Sequence, residues 1–185
     1  VIGMGMTAID AATQAKRLGA KQVTMVYRRS EMEKPCTSVE LDIAKLDGCE
    51  IIWLAAPKEI KGENNKVKQL VCSKMQLGEP DASGRRSPVD TGETFTLDVD
   101  MVIKAAGQMP FEDLVNEIKI QNSKGKISID NNSSTNITGV FAGGDAVNGG
   151  KEVVDAVQAG KNGARAIIEY IATNARINTN KENAD

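Results

Sequence analysis

The chain begins with the spacing of a dinucleotide-binding turn. Gly3, Gly5 and Ala8 follow Val1 and Ile2 in the pattern Gly-x-Gly-x-x-Ala. In such a turn the first glycine makes a tight bend, the second lets the backbone approach a pyrophosphate, and the small third residue lets the helix pack on the strand. We expect the helix N-terminus to bind the pyrophosphate; the alternative is a tight turn without a ligand. The predicted amide donors are Met6, Thr7 and Ala8.

Two adjacent arginines follow the next apolar run, residues 23–27. A site for NAD normally places Asp or Glu near this strand end, where the carboxylate accepts from the ribose hydroxyls. Arg28 and Arg29 stand there instead, and a guanidinium binds a 2′-phosphate through two parallel hydrogen bonds. The pair therefore favours NADPH over NADH. The alternative is that both arginines are solvated surface residues.

A third candidate site lies in the run at residues 138–145, which ends in Gly144 and Asp145. Glycines let a flat cofactor or a sugar chain lie against the backbone, and a carboxylate accepts from ribityl hydroxyls. The next helix begins near Glu152 and Val153, so its positive end can face an electron-rich ring carbonyl. The alternative is a loop aspartate that caps a helix.

Alternating helices and strands must position these residues. Apolar periodicity predicts helices at residues 7–18 and 35–46 and short buried strands at 23–27 and 50–54. Strand, helix and strand within about 30 residues form the βαβ start of a nucleotide-binding sheet. The strand before the glycine turn has only Val1 and Ile2, so we expect the chain to be a fragment of a longer protein.

The pattern changes after this βαβ unit. Alternating polarity predicts an antiparallel strand at 67–75, then a polar hairpin tip at 79–88 and a strand at 95–97. A buried parallel strand is expected at 100–107. Further strands are predicted at 126–129 and 139–145, a long helix at 151–173, and a polar, disordered tail at 174–185.

Composition excludes several kinds of function. The net charge of −2 lacks the basic excess that is typical of nucleic-acid-binding proteins, and no apolar run approaches the ~20 residues of a membrane span. The chain has no histidine, which removes Ser-His and Cys-His nucleophiles and His-Cys zinc sites, and we predict no metal site. Its three cysteines form no Cys-x-x-Cys pair, which argues against a disulfide reductase and favours a reducing, cytoplasmic compartment.

Several of these segments resemble the two-dinucleotide-binding flavoproteins, the family of thioredoxin reductase and the glutamate synthase small subunit. The run at 139–145 is similar to the segment that contacts the FAD ribityl chain there. The run at 105–110, which contains Gly107, looks like the crossover between its two domains. Residues 23–30 and 75–86 resemble the glutamate synthase small-subunit branch more closely. Residues 148–154 resemble its dihydropyrimidine dehydrogenase side.

This resemblance covers nearly all of residues 1–171 and implies an α/β chain of two parts. Residues 1–105 would be a Rossmann-like, three-layer NADPH-binding domain with a truncated first strand, and 106–173 the C-terminal segment of an FAD-binding domain. Hydride would pass from NADPH to FAD, and electrons would leave through iron–sulfur clusters held by a missing N-terminal part. The partner would be a glutamate synthase large subunit or a pyrimidine-reducing subunit.

Two methionines depart from the branch, which commonly has Gly-Gly-Gly-Asn-Thr-Ala in this turn. Met4 and Met6 are bulkier and are expected to crowd the pyrophosphate. An alternative function is therefore a nucleotide-binding or docking module without activity. We expect the chain alone to bind NADPH weakly, to hold no FAD and to be inactive.

Overall fold

The structure is a computed structural model that describes residues 1–80, 82, 84 and 86–182. Its contacts divide the chain into two compact units, Val1–Gly107 and Gln108–Asp185. The elements of the first unit are α1 (Met6–Arg17), β1 (Thr24–Tyr27), a 3₁₀ turn (Glu31–Glu33), α2 (Ser38–Leu46), β2 (Glu50–Trp53), β3 (Ala55–Glu63), β4 (Lys66–Pro80) and β5 (Arg86–Asp98). Those of the second are α3 (Glu112–Glu117), β6 (Asn122–Ser123), β7 (Lys126–Ile127), α4 (Asp145–Asn148) and α5 (Val153–Glu182).

The first residues of the chain lie in the middle of a parallel arrangement. Ile2 forms parallel bridges with Val26 of β1 on one side and with Lys104 on the other, and β1 pairs in parallel with β2. The chain therefore leaves Ile2 towards β1 and β2 and returns on the opposite side at Lys104. Ligands of open α/β sheets bind where the strand order reverses in this way, at the carboxyl ends of the strands.

Side chains of β1 alternate between two apolar cores, as the period of a strand requires. Met25 and Tyr27 face α1 and α2 and share a core with Leu41. Val26 faces the other way and packs with Cys72 of the antiparallel sheet. Helices, parallel strands and antiparallel sheet are thus three layers, which confirms the Rossmann-like fold predicted from the sequence.

The antiparallel layer has the order β3-β4-β5. Its hairpin is longer than the alternation predicted, because β4 and β5 pair out to Pro80 and Arg86. Half of the predicted tip at residues 79–88, namely 79–80 and 86–88, therefore belongs to strands, and residues 81, 83 and 85 lie outside the described part of the chain. This extension brings Arg86 to the edge of the first unit that carries the arginine pair.

The second unit combines short strands with the long helix α5. β6 and β7 form a small hairpin, and an isolated bridge joins Ser134 to Phe141. Phe141 also packs edge-to-face on Tyr170 of α5, with ring centroids 5.8 Å apart. Several large apolar side chains of this unit are exposed, among them those of Met109, Phe111, Val153, Val154 and Ile168.

Four predicted elements are corrected. The segment at 100–107 is no regular strand, because within the described residues it pairs with Ile2 alone, and Met101 within it is 73% exposed. The strands predicted at 126–129 and 139–145 shrink to β7 and the bridge at Phe141. Helix α5 runs to Glu182, past the predicted start of a disordered tail at 174, and residues 183–185 lie outside the described part.

None of the helices in the described residues combines the length and the apolar character that a membrane span requires.

Candidate dinucleotide-binding site

Gly3 is required by the fold rather than by a ligand. Its φ is +128°, a conformation that side-chain-bearing residues rarely adopt. A Cβ built there would lie 2.8 Å from the carbonyl carbon of Ala105 and even nearer to its oxygen, and 3.3 Å from the Cβ of Ala8. The first glycine of the turn therefore lets α1 and the returning segment approach the central residues.

Gly5 leaves an open space at the start of α1. It is the N-cap of the helix, with φ −83° and ψ 175°, and a Cβ built there would meet nothing within 4 Å. No side chain caps this end, and within the described residues no hydrogen-bond acceptor is found for the N–H groups of Met6 and Thr7. The Ala8 N–H donates to the Gly5 carbonyl over 2.9 Å instead, so the predicted donors are reduced to Met6 and Thr7.

The two methionines of the turn have different surroundings. Met4 is 1% exposed and belongs to the core between α1 and α2, so the expectation that its side chain crowds a pyrophosphate is wrong. Its carbonyl accepts a hydrogen bond from the Cys36 N–H over 3.2 Å, which brings the chain after β1 back to the glycine turn. Met6, the first residue of α1, is 48% exposed.

The arginine pair follows the last residue of β1. Arg28 is exposed, whereas Arg29 is half-buried. The Arg29 carbonyl accepts from the Leu54 N–H over 3.1 Å, and its Nε donates to the Arg86 carbonyl over 3.1 Å. Arg29 is thus held through its backbone and its side chain, while Arg28 projects into solvent beside it.

Sequence reasoning did not single out Glu33 and Arg86 as functional residues, but the structure joins both to this edge. Arg86 donates to Glu33 Oε1 from Nε over 2.9 Å and from Nη2 over 2.6 Å. Glu33 also accepts from the backbone N–H of Ser30 over 3.2 Å and from the Ser30 hydroxyl. The Ser30 hydroxyl, and next Arg86, hold the pKa of the Glu33 carboxyl below its ordinary value.

One part of this network was recognisable from local sequence. Ser30 and Glu33 have the spacing of a capping box, in which each side chain binds the backbone of the other residue, and the structure contains one. Arg86 had no such signal. Its hydrogen-bond partner Arg29 lies 57 positions earlier in the chain, so no local sequence pattern connects the two residues.

The candidate residues of the second unit lie around the start of α5. Gly144, with φ +62°, is the N-cap of the short helix α4, and the exposed Asp145 follows it. Asp145 Oδ1 accepts from the Lys151 N–H over 3.4 Å. The Glu152 carbonyl accepts the first hydrogen bonds of α5, and Val153 is 79% exposed. Within the described residues Asp145 accepts no hydrogen bond from an N–H of the first turn of α5, so it does not cap that helix.

Close packing holds the glycines of this loop against α5. A Cβ built on Gly143 would lie 3.2 Å from the Cβ of Ala159. In the first unit, Gly107 has φ +98° and an added Cβ would meet nothing within 4 Å, so its conformation, and not crowding, explains the glycine.

The cysteines are free and buried, and burial raises the pKa of each thiol. A raised pKa keeps the thiol protonated and a poor nucleophile. Within the part of the chain that the structure describes, no three His, Cys, Asp or Glu side chains are grouped so that they could hold a metal ion.

Known proteins share both sequence and fold with this chain. The family model described as "Pyridine nucleotide-disulphide oxidoreductase" matches residues 1–160. The subunit beta of NADP(+)-dependent formate dehydrogenase from Moorella thermoacetica is 39% identical over 92% of this chain and 24% of its own length. The glutamate synthase [NADPH] small chain of Azospirillum brasilense is 38% identical over 95% of this chain and 37% of its own. This similarity confirms the resemblance to the glutamate synthase branch.

A solved structure gives the same result for the fold. Thioredoxin reductase from Lactococcus lactis superimposes with a TM-score of 0.77 at 25% identity, over 93% of this chain and 52% of that one. The chain thus spans about half of this structure and less than half of the two relatives above.

Proposed function

This chain belongs to the pyridine nucleotide-disulphide oxidoreductase family, and we propose that its first unit binds NADPH for a flavin-dependent oxidoreductase. The observation that carries the proposal is the pairing of an open helix N-terminus at Gly5 with two arginines at the end of the adjacent strand. Both features lie at the carboxyl edge of the parallel strands, beside the reversal of strand order, where dinucleotides bind in open α/β sheets.

In this proposal the pyrophosphate lies over Gly5 and accepts from the N–H groups of Met6 and Thr7. The helix N-terminus carries a partial positive charge, which favours an anion at these amides. The absence of a Cβ at Gly5 supplies the room that the phosphate oxygens need. Gly3 and Ala8 act beneath this surface, by letting α1 pack closely on the central strand.

The 2′-phosphate of NADPH lies at Arg28 and Arg29. A guanidinium offers several N–H donors in a rigid fork and suits a phosphate, whereas the carboxylate usual in an NAD site would repel it. Arg28 is the accessible member of the pair, and Arg29 is the fixed one. Together they would make the affinity for NADPH exceed that for NADH.

Residues of the second unit fit part of an FAD site. Gly144 lets a chain approach the backbone, Asp145 presents an exposed carboxylate that accepts from hydroxyls, and the start of α5 is open at Val153. When bound, FAD supplies the acceptor for the hydride of NADPH. Glu152, whose carbonyl accepts the first hydrogen bonds of α5, would border this site.

Hydride transfer needs no acid or base from this chain, so its residues contribute by binding and orientation. We propose that residues 1–105 hold NADPH, that 106–173 contribute to the FAD site, and that electrons pass through iron–sulfur clusters to a partner subunit. The partner proposed here is a glutamate synthase large subunit, because of the similarity to the small chain of that enzyme. The similarity to a formate dehydrogenase subunit beta fits a different partner equally well. A pyrimidine-reducing partner and a cytoplasmic location stay predictions.

Calorimetric titration with NADP⁺ and NAD⁺ tests the proposal. The wild-type chain should bind NADP⁺ more tightly than NAD⁺. Arg28→Ala should lower the affinity for NADP⁺ by about ten-fold and change the affinity for NAD⁺ little, since one charge-assisted phosphate contact is lost. Arg17→Ala is the matched control, because it removes the same charge from the opposite end of α1, where Arg17 pairs with Asp47. Equal losses for both nucleotides would contradict the phosphate role, and no binding by wild type would favour a docking module.

A further inference from the structure

The hairpin β4–β5 contacts the arginine pair through Arg86. Its carbonyl accepts from Arg29 Nε, and its guanidinium makes two hydrogen bonds to Glu33. We propose that this Glu33–Arg86 ion pair is a latch that positions Arg29 for the 2′-phosphate and thereby strengthens the preference for NADPH over NADH. The inference rests on the proposed function, because it concerns the same phosphate site.

The latch acts by fixing the direction of the Arg29 side chain. A guanidinium is planar, so a hydrogen bond from Nε to one side directs its two terminal nitrogens to another side as a fork. The Arg29 backbone is anchored as well, through its carbonyl and the Leu54 N–H. An arginine held in this way loses little rotamer freedom when a phosphate binds, which is the gain that preorganisation brings.

Glu33 is well placed to hold Arg86 and badly placed to bind a phosphate. Its side chain is 9% exposed, and it lies on the 3₁₀ turn that follows the arginines directly. An unpaired carboxylate there would repel the 2′-phosphate, so the ion pair with Arg86 also neutralises that charge. Ser30 fixes the carboxylate from the other side through its N–H and its hydroxyl.

A direct role of Arg86 makes the opposite prediction for one variant. If Arg86 itself bound the phosphate, Glu33 would compete for the same guanidinium, and Glu33→Gln would tighten the binding of NADP⁺. If the pair acts as a latch, Glu33→Gln and Arg86→Met both release Arg29. Each single substitution then lowers the affinity for NADP⁺. The double variant binds NADP⁺ at least as tightly as the single variant with the lower affinity.

The experiment is a double-variant cycle in the full chain, titrated calorimetrically with NADP⁺ and with NAD⁺. We expect each single substitution to lower the affinity for NADP⁺ by about three- to ten-fold and the affinity for NAD⁺ by less than about two-fold. This is the size of effect that the partial loss of a charge-assisted contact produces. Arg86→Lys keeps the ion pair and should restore much of the preference. Glu93→Gln is the matched control, because it breaks the exposed ion pair with Lys74 on the same hairpin.

The outcomes separate the latch from the proposed function. Absence of NADP⁺ binding by wild type overturns both. A wild-type preference for NADP⁺ that survives Glu33→Gln and Arg86→Met overturns the latch alone, and so does tighter NADP⁺ binding by Glu33→Gln. The latch is also overturned if the affinities for NADP⁺ and NAD⁺ fall equally, or if Glu93→Gln has an effect of the same size, because the hairpin then only supports the fold. Should Arg86→Met not fold, the comparison of Glu33→Gln with wild type decides by the same criteria.

Discussion

The two glycines of the opening turn should respond in opposite ways to the same substitution. At Gly3 an added methyl group would overlap the Ala105 carbonyl, in a backbone conformation with φ +128°. The left-handed backbone costs roughly 1–2 kcal/mol for a residue with a Cβ. Displacing residues 103–105 would also break hydrogen bonds of Ile2 to Ile103 and Ala105, about 1 kcal/mol each. Gly3→Ala should therefore destabilise the chain by about 3–4 kcal/mol.

Gly5→Ala should leave the stability of the fold almost unchanged and weaken the binding of the nucleotide. The backbone at Gly5 is extended, and nothing lies within 4 Å of an added Cβ, so the expected cost is the weaker N-cap, under about 1 kcal/mol. The methyl group would occupy the space over the Met6 and Thr7 amides that we assign to the pyrophosphate. A ten-fold or greater loss of NADP⁺ affinity, about 1.4 kcal/mol, is the expected result.

Urea denaturation and calorimetric titration measure these two quantities on the same samples. The reasoning is refuted for the fold if Gly3→Ala unfolds at the same urea concentration as Gly5→Ala. It is refuted for the site if Gly5→Ala binds NADP⁺ as tightly as wild type does.

Three further predictions concern single side chains. Met4→Ala should cost about 2–4 kcal/mol in denaturation without tightening NADP⁺, because Met4 fills the core; tighter binding would restore the crowding hypothesis. The lowered pKa of Glu33 means that its contribution to stability is present above the ordinary carboxyl value of 4.5 and is lost as the pH falls through the lower folded value. Thermal melts of wild type and Glu33→Gln should therefore differ near neutral pH and converge in acid. Cys36, Cys49 and Cys72 should react with a thiol reagent far more slowly in the native chain than in denaturant, since all three are buried and their pKa values are raised.

Local patterns predicted most of the first unit. The apolar period and the capping residues lie within a few positions of each other, so α1, α2, β1 and β2 were placed to within a few residues. The glycine spacing and the arginines after β1 were equally visible. The second unit was predicted less well, because its strands are short and pair at single residues such as Phe141.

The sequence by itself determined which residue types stand where we propose that a dinucleotide binds: glycines in a strand-to-helix turn and arginines at the next strand end. Only the tertiary structure decided what each of them does. It places Gly3 against Ala105, leaves open space beside Gly5, and buries the Met4 side chain in the core. It also brings Arg86 to Arg29 across 57 positions of chain. The reason is physical: turn geometry and periodicity depend on neighbours in sequence, whereas these contacts depend on how strands distant in sequence pair and pack.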